Sequence, residues 1–492
     1  MKLIKNNQFL LFILLAVFIA LSYYEYGQFK LVDDTYIYLQ YTRNIIQHNQ
    51  IAFNLGEKSY AFTSPLWLFL IVLGSLVSGN TVVVPEILSV LFSCLTITVW
   101  WYFLRKYSLS YLLFLIFMLY IVLDPNLLKH SHMGMEASLS YFLSSVLIFF
   151  VFGGTPKKKL LLIGMIVGLF ILVRPESILL SLILIVWLYK KENFGIKDIT
   201  KVFSYSLIVN IPWIIFSLLY FHQLLPSTFG VKGASYPLGL KFFQNLKVGI
   251  EILIGNYFIP LIIIISLSLK YKDVRKISEI TFSVIIVYIF FYSIFISNEF
   301  VYARYFCIIF PLLNFNLFTV SRKINFTQRP NVRWAFLFLS IILIQSLIIS
   351  SINNRLFKFE ENSEKEIIKW VNANTPFNSV IVRGRIGEIG FLTKRKILDP
   401  VGLINPEITK YYLSKRINDF YIEKKPDYII GSNFHQIISV LNNKAKITIL
   451  GEYKSSINLL RDYIKAKLFP NKKSLYYYQK IYHLEWYDKN LK

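Results

Sequence analysis

Long apolar runs alternate with short polar loops over the first 350 residues of the chain. Eleven of these runs are candidates to cross a bilayer, near residues 8–25, 83–104, 109–123, 138–152, 160–173, 177–189, 203–220, 252–269, 278–297, 305–320 and 333–351. A helix needs about 20 apolar residues to cross about 30 Å of hydrocarbon, so the shorter runs would include flanking aromatic and serine residues. The pattern predicts a polytopic α-helical membrane protein with about eleven transmembrane helices.

Basic residues collect in every second loop, which is typical of loops on the cytoplasmic side. Lys2 and Lys5 precede the first run, and no small-residue cleavage site follows it, so we interpret this run as a membrane helix rather than a signal peptide. The N-terminus is then cytoplasmic, and the loop at 26–82 is external. Within that loop, the apolar segment 64–77 is short and has a proline near its start, which favours an interfacial or re-entrant helix.

The pattern changes after residue 352. Short β-branched runs alternate there with amphipathic stretches, the runs lying at 379–382, 427–431 and 446–450 and the stretches at 363–374 and 407–421. This alternation is typical of a small α/β domain. We therefore predict a transmembrane domain over 1–351 and an α/β domain over 352–492, which an odd number of crossings would place outside the cytoplasm.

Composition agrees with a membrane protein and narrows its partners. The chain is 55% hydrophobic and 17% aromatic, and its net charge of +25 suits contact with anionic lipids of the bilayer or with phosphorylated substrates. Cys94 and Cys307 lie in apolar runs, which excludes a disulfide framework and a cysteine metal site. The sequence has no glycine-rich phosphate loop, and we predict no nucleic-acid partner.

Two adjacent carboxylates, Asp33 and Asp34, stand in the first external loop, within "LVDDTYIYLQYTRN". Adjacent residues of a helix point about 100° apart, so two different roles are favoured over one shared atom. One role is structural, with Asp34 as the N-cap of the helix that follows and Asp33 complementing the helix dipole. The other role is catalytic, and one residue can serve both.

Further charged side chains lie in two external turns. "LKHSHMGMEAS" contains His132 and Glu136, which would share a helix face at i and i+4. Because zinc-motif spacing is lacking, interfacial hydrogen bonding is favoured over metal ligation, and no metal site is predicted. "LVRPESI" places Arg174 and Glu176 between two apolar runs, where charges are costly unless paired or functional. Arg174 as a snorkelling lipid anchor is the alternative.

Three more cationic or titratable side chains, His222, Lys232 and Arg304, fall on the same predicted external face. Each of them alone is more typical of a lipid anchor than of a site. Together with Arg174 they supply the fixed donors that a lipid-linked phosphate would need near the membrane surface. We therefore take these four, together with Glu176, His132 and Glu136, as candidate residues for binding the donor phosphate or the substrate.

An ordered set of motifs runs from about residue 30 to about residue 430. It comprises the block "DDTYIYLQYTRNIIQHNQIAFNLGEKSYAFTSPLW", then "GMEAS", "VRPES", "PWIIFSLLYFHQLLPSTFGVK", "ARYF", "GEIGFLTKRKILDPVGLINPE" and "KPDYII". In this order they resemble the bacterial membrane glycosyltransferases of the GT-C class, and most of all the terminal arabinofuranosyltransferases of mycobacterial and corynebacterial cell walls and their bacterial relatives. Ser227 stands where that family often has asparagine, which leaves the role of this position open.

The resemblance implies a multi-pass enzyme of the bacterial cytoplasmic membrane. It would transfer a sugar, such as arabinofuranose, from a polyprenyl phosphate to a hydroxyl of a cell-envelope glycan or lipid on the outer side. The resemblance also implies catalytic acids in the first external loop, which match Asp33 and Asp34. We expect Asp33 to be the base of an inverting single displacement and Asp34 to cap its helix and hold the acceptor or a cation. The reverse assignment stays open, as does a divalent-cation cofactor.

Two other classes of protein compete with this interpretation. A transporter or flippase of a lipid-linked sugar also needs charges near the membrane, but the internal repeats typical of such proteins are not visible in the sequence. If the chain were instead a structural partner in a cell-wall complex, its clustered external charges would be superfluous. An enzyme is therefore favoured.

Overall fold

The computed structural model describes residues 8–27, 31–107, 111–154, 156–191, 194–227, 238–295, 303–321, 364–431, 434–455 and 477–487. Its first part is helical. The α-helices there are α1 (Gln8–Tyr26), α2 (Asp33–His48), α3 (Pro65–Ser78), α4 (Val84–Arg105), α5 (Tyr111–Val122), α6 (Pro125–His130), α7 (Ala137–Phe152), α8 (Leu160–Val173), α9 (Ser177–Lys191), α10 (Ile196–Phe221), α11 (Leu238–Lys270), α12 (Lys272–Phe295) and α13 (Phe310–Ser321). Short 3-10 helices, Pro156–Lys159 and Ala303–Ile308, precede α8 and α13.

Ten of the eleven predicted membrane runs coincide with helices of the structure, and the run at 333–351 lies outside the described residues. Apolar runs become helices in a bilayer because a helix satisfies its own backbone hydrogen bonds. Within the described part of the chain, four helices are long and apolar enough to cross a membrane alone, and the two halves of α11 would add a fifth. The polytopic helical fold is confirmed, and eleven crossings stay a prediction.

Helix α11 is sharply bent. Its two halves, Phe242–Gly255 and Tyr257–Lys270, meet at 86°. The break falls at Tyr257 (φ −132°, ψ 23°), three residues before Pro260. Proline lacks the N–H that would complete the preceding turn, and its ring crowds that turn, so a kink at this place has a local cause.

Helix α3 forms where the sequence predicts a short helix. The Ser64 hydroxyl accepts a hydrogen bond from the Trp67 backbone N–H (3.3 Å), Pro65 occupies the first turn, and Gly79 ends the helix with φ 68°. The indole N–H of Trp67 donates to the Gly134 carbonyl (3.1 Å). The buried Trp67 therefore joins the segment between α1 and α4, called the first loop below (residues 31–83), to the turn between α6 and α7.

The C-terminal part contains a five-stranded sheet flanked by short helices, which confirms the predicted sheet domain. Residues 364–374 are helical (α14). The elements that follow are β1 (Val380–Val382), α15 (Gly387–Thr393), β2 (Lys396–Leu398), α16 (Ile408–Leu413), α17 (Ile417–Lys424), β3 (Tyr428–Gly431), α18 (His435–Leu441), β4 (Ala445–Ser455) and β5 (Tyr477–Trp486). The strand order is β2-β1-β3-β5-β4, with β1 parallel to β2 and β3, and β5 antiparallel to both its neighbours.

One apolar core continues from the helical part into the C-terminal domain. Buried Tyr36 and Ile37 of α2 belong to the same cluster as Ile386 and Ile389, which lie at the start of α15. A second, smaller core fills the other face of the sheet, around Val382, Phe420 and Ile429. Burial of apolar surface therefore holds the first loop against the C-terminal domain, and this contact positions the candidate site.

Candidate functional site

The two adjacent aspartates begin α2 and take different partners. The helix begins at Asp33, Val32 is its N-cap residue, and no side chain makes a capping hydrogen bond. The prediction that Asp34 caps this helix is therefore wrong. Both carboxylates lie inside the first turn, where the positive end of the helix dipole favours them, and their different directions follow from the helical spacing.

Asp34 forms an ion pair with Arg304. The guanidinium Nη2 of Arg304 donates to Asp34 Oδ2, and Arg304 lies in the 3-10 helix that precedes α13. The Arg304 side chain is 13% exposed and the Asp34 side chain is 40% exposed. A carboxylate that is still open to solvent therefore lies against a cation fixed by the helical part.

A second charged group surrounds Arg174, in the turn between α8 and α9. Its guanidinium lies 2.6 Å from Glu136 and 3.1 Å from Glu176, and all three side chains are buried. The Tyr288 hydroxyl donates to the Glu176 carbonyl (2.8 Å), and the Tyr292 hydroxyl to its carboxylate (3.3 Å). Of the two alternatives that the sequence left open, the structure shows paired charges rather than a snorkelling Arg174, since an isolated buried charge would be far costlier.

Tyr305 connects the two charged groups. Its ring centroid lies 4.6 Å from the guanidinium carbon of Arg174 and 5.4 Å from that of Arg304, within the range of cation–π contacts. Five of the residues singled out in the sequence therefore form one cluster: Asp34, Glu136, Arg174, Glu176 and Arg304. Tyr305 itself belongs to the motif "ARYF", but its role could not be separated there from that of an ordinary interfacial aromatic residue.

His132 lies apart from this cluster. Its Nδ1 is 2.6 Å from Glu86 Oε1 and its Nε2 is 3.2 Å from the Ser22 hydroxyl. The expected shared helix face with Glu136 is wrong, because α6 ends before His132 and α7 begins after Glu136, with Gly134 (φ 70°) turning the chain between them. His132 therefore joins α1, α4 and this turn, while Glu136 faces Arg174.

The remaining predicted residues are His222 and Lys232. His222 is exposed at the end of α10, where it takes a left-handed conformation (φ 56°), and Lys232 lies outside the described residues. The chain then returns to the first loop, because the Ser227 backbone N–H donates to the Tyr60 carbonyl (2.9 Å). Across the described ranges, no group of three metal-ligating side chains is assembled.

His130 is a residue that the sequence analysis did not select. It is 3% exposed, and neither ring nitrogen has a hydrogen-bond partner among the described residues. Burial, together with the charges of Lys129, Arg304 and Arg174, lowers the pKa of His130 well below its ordinary value. A neutral imidazole there can still donate or accept a hydrogen bond, but in the sequence His130 stood out only as one of two histidines near Glu136, which is a weak pattern for a metal site.

Asp124 organises the short helix that carries His130. Its Oδ1 accepts from the backbone N–H groups of Asn126 (2.9 Å) and Leu127 (3.2 Å), so it is the N-cap of α6. Its Oδ2 accepts from the hydroxyls of Tyr141 and Tyr257, each at 2.8 Å. This aspartate therefore has a structural role, and it fixes α6 against α7 and the bend of α11.

Asp33 contacts the C-terminal domain rather than the charged cluster. The Glu388 backbone N–H donates to Asp33 Oδ1 (2.8 Å), and the Gly387 N–H donates to Oδ2 (3.3 Å). Burial raises the pKa of Asp33 to about 6. The charge of Arg385 and the hydrogen bond from Glu388 act in the opposite direction but are weaker than the effect of burial.

We expect an acidic limb near pH 6 in the pH dependence of the sugar transfer that the family resemblance implies. The ionised carboxylate of Asp33 accepts its two hydrogen bonds from backbone N–H groups more strongly than the neutral acid does, so the rate should fall as the pH falls through about 6. The measurement is kcat/KM between pH 4.5 and 8. In the Asp33→Asn variant this limb should be lost, because an amide does not titrate in this range. A limb that persists in Asp33→Asn would assign the titration to another group.

Comparison with known proteins finds solved structures with a similar fold. Residues 352–487 match the model of a domain of unknown function, DUF8728. A search of the curated proteins finds no match. Two crystal structures of ArnT from Cupriavidus metallidurans are similar to the chain, each covering 90% of it and 96% of the ArnT chain. The structure bound to undecaprenyl phosphate has a TM-score of 0.60 at 11% identity, and the apo structure 0.59 at 12%. The chain therefore has the fold of ArnT, with a small C-terminal sheet domain.

Proposed function

We propose that the chain is a glycosyltransferase of the bacterial cytoplasmic membrane that takes a sugar from a polyprenyl phosphate and transfers it to a hydroxyl on the outer side. ArnT is a GT-C glycosyltransferase, and one of the two similar structures holds undecaprenyl phosphate. One fold can support different reactions, so the charges at the site must also fit the reaction.

The observation that carries this proposal is the Asp34–Arg304 pair beside Arg174. It supplies an exposed carboxylate and two guanidinium groups around one tyrosine ring. Guanidinium groups hydrogen-bond phosphate oxygens well and keep their charge at any physiological pH. A polyprenyl phosphate that approaches Arg304 would leave its sugar close to Asp34.

The reaction needs one base and one stabilised leaving group. The acceptor oxygen attacks the anomeric carbon, its proton passes to the carboxylate, and the bond from that carbon to the phosphate oxygen breaks. The electron pair of that bond leaves with the polyprenyl phosphate, whose growing negative charge Arg304 and Arg174 would stabilise. A single displacement of this kind inverts the anomeric centre.

Asp34 is the better candidate for the base. Both carboxylate oxygens of Asp33 already accept amide N–H groups from the C-terminal domain, whereas the Asp34 side chain is 40% exposed. A base must come within hydrogen-bond distance of the acceptor hydroxyl, which favours the more exposed group. This reverses the assignment that we preferred from the sequence and leaves Asp33 a positioning role.

The sugar is proposed to be a pentofuranose such as arabinofuranose, and the acceptor a cell-envelope glycan or lipid. This finer assignment rests on the motifs between residues 30 and 430. Glu136 and Glu176 would hold Arg174 in place beneath the phosphate, and the neutral His130 would add a hydrogen bond.

A donor panel tests the function directly. The purified protein is incubated with polyprenyl phosphates carrying different sugars, with and without short hydroxyl acceptors, and released polyprenyl phosphate is measured. We expect release with one sugar class, stimulated by an acceptor. If no polyprenyl phosphate is released while the protein moves a lipid-linked sugar across the bilayer of liposomes, the chain is a transporter instead.

A further inference from the structure

The C-terminal domain contacts α2 at the turn that carries both aspartates. The backbone N–H groups of Gly387 and Glu388 donate to the Asp33 carboxylate. One helical turn further along α15, the Phe391 carbonyl accepts from Arg43 Nη1 (2.7 Å), and the Phe391 ring lies 4.9 Å from the Arg43 guanidinium carbon. The helix α15 therefore binds α2 at both an acidic and a basic residue.

Two glycines allow this close approach. A Cβ atom at Gly387 would overlap the backbone carbonyl of Asp33, and one at Gly390 would lie 2.6 Å from the ring of Phe53. Neither glycine needs a left-handed backbone, since the glycines with positive φ are at other positions. These glycines are therefore explained by proximity to the first loop and not by the conformation of α15.

A second set of contacts joins the first loop to the edge strand β2. The Asn54 side chain donates to the Ile397 carbonyl (2.8 Å) and accepts from the Ile397 N–H (3.1 Å), as a neighbouring strand would. Beside it, Lys396 pairs with Glu57 at 2.5 Å. The domain is thus bound to the first loop at two places, before and after the end of α2.

We infer that the C-terminal domain holds the start of α2 in the position in which Asp34 meets Arg304. Through this contact the domain sets the geometry of the catalytic site. The first turn of α2 is held from two sides, by α15 through Asp33 and by the 3-10 helix through Arg304. Asp33 and Gly387 are then positioning residues. The placement of a reacting group within a fraction of an ångström can decide the rate, which is why a docked domain can control it.

The Gly387→Ala variant tests this inference, and Gly384→Ala is its matched control. Gly384 is exposed three residues earlier, and a Cβ atom there would make only ordinary contacts, at 3.9 Å with Pro400 and 4.0 Å with Val401. Hydrogen–deuterium exchange of the full chain in detergent is the first measurement. We expect Gly387→Ala to raise exchange in both 31–40 and 386–394, and Gly384→Ala to leave 31–40 unchanged.

Activity is the second measurement, and only this part of the test rests on the proposed function. Gly387→Ala should lower kcat by about tenfold or more while the KM for the donor stays within about twofold, because Arg174 and Arg304 are not moved.

Asn54→Ala provides a second variant in case Gly387→Ala does not fold. It removes the two hydrogen bonds to β2 without touching either aspartate, and it should raise exchange in 31–40 and lower kcat in the same way. Raised exchange confined to 386–394 would overturn the inference, as would normal kcat in both variants. If only the proposed function is wrong, the expected changes in hydrogen–deuterium exchange will still be observed, but no donor will be consumed.

Discussion

Replacing Asp34 by asparagine is expected to lower kcat by about 10²- to 10⁴-fold at saturating donor and acceptor, the usual contribution of a general base. Asparagine keeps the size of the side chain but cannot take the acceptor proton. The Asp34 side chain is 40% exposed and pairs with Arg304. For these reasons the substitution of Asp34 should reduce the rate more than the substitution of Asp33. The measurement is the initial rate of polyprenyl phosphate release by the purified variant.

Asp419→Asn is the control for this experiment. Asp419 also pairs with an arginine, Arg416, but both side chains of that pair are exposed on the C-terminal domain. Exposed ion pairs contribute little to stability, so this variant should keep wild-type activity. Asp34→Glu, which retains a carboxylate, should recover part of the rate. An Asp34→Asn enzyme as active as the Asp419→Asn enzyme would remove Asp34 from the reaction.

Arg174→Gln is expected to have the largest effect on stability. Its side chain is 4% exposed, and those of Glu136 and Glu176 are 1% and 7% exposed. Without the guanidinium, two buried carboxylates lose their counter-charge, and breaking a buried pair in this way typically costs about 3–5 kcal/mol. That is a large part of the about 5–15 kcal/mol that separates folded from unfolded domains. Thermal unfolding of the purified protein in detergent measures the loss.

Two further variants show whether unpaired charge is the cause. Arg416→Gln breaks the exposed pair with Asp419 and should leave the unfolding temperature close to that of the wild type, because exposed ion pairs contribute little to stability. A triple variant, Arg174→Met with Glu136→Gln and Glu176→Gln, removes all three charges and should recover most of the lost stability, though not the activity. Equal unfolding temperatures for Arg174→Gln and Arg416→Gln would contradict a stabilising role for this triad.

The helical part of the fold could be predicted because its signal is local. An apolar run must form a helix wherever it meets hydrocarbon, whatever its neighbours, and each of the ten predicted runs in the described residues contains a helix. In the sheet domain, the β-branched runs predicted β1, β3 and β4. The strand β2 has only three residues after a basic stretch, and β5 is rich in tyrosine and polar residues, so neither stands out without the partner strands that define it.

For the candidate site, too, the sequence predicted one part and not another. The cost of charges between apolar runs singled out Arg174 and Glu176 in the sequence. Asp34, Glu136 and Arg304 were selected by their place in the predicted external loops and turns, and the family resemblance added the catalytic role of Asp34. Which charge meets which was decided by tertiary packing. Arg304 reaches Asp34 from 270 residues away, and Glu388 reaches Asp33 from 355 residues away. Local spacing carries no information about such distant contacts. For this reason the sequence determined which residues could act, and only the folded chain decided that Asp34 faces the arginines while Asp33 binds the C-terminal domain.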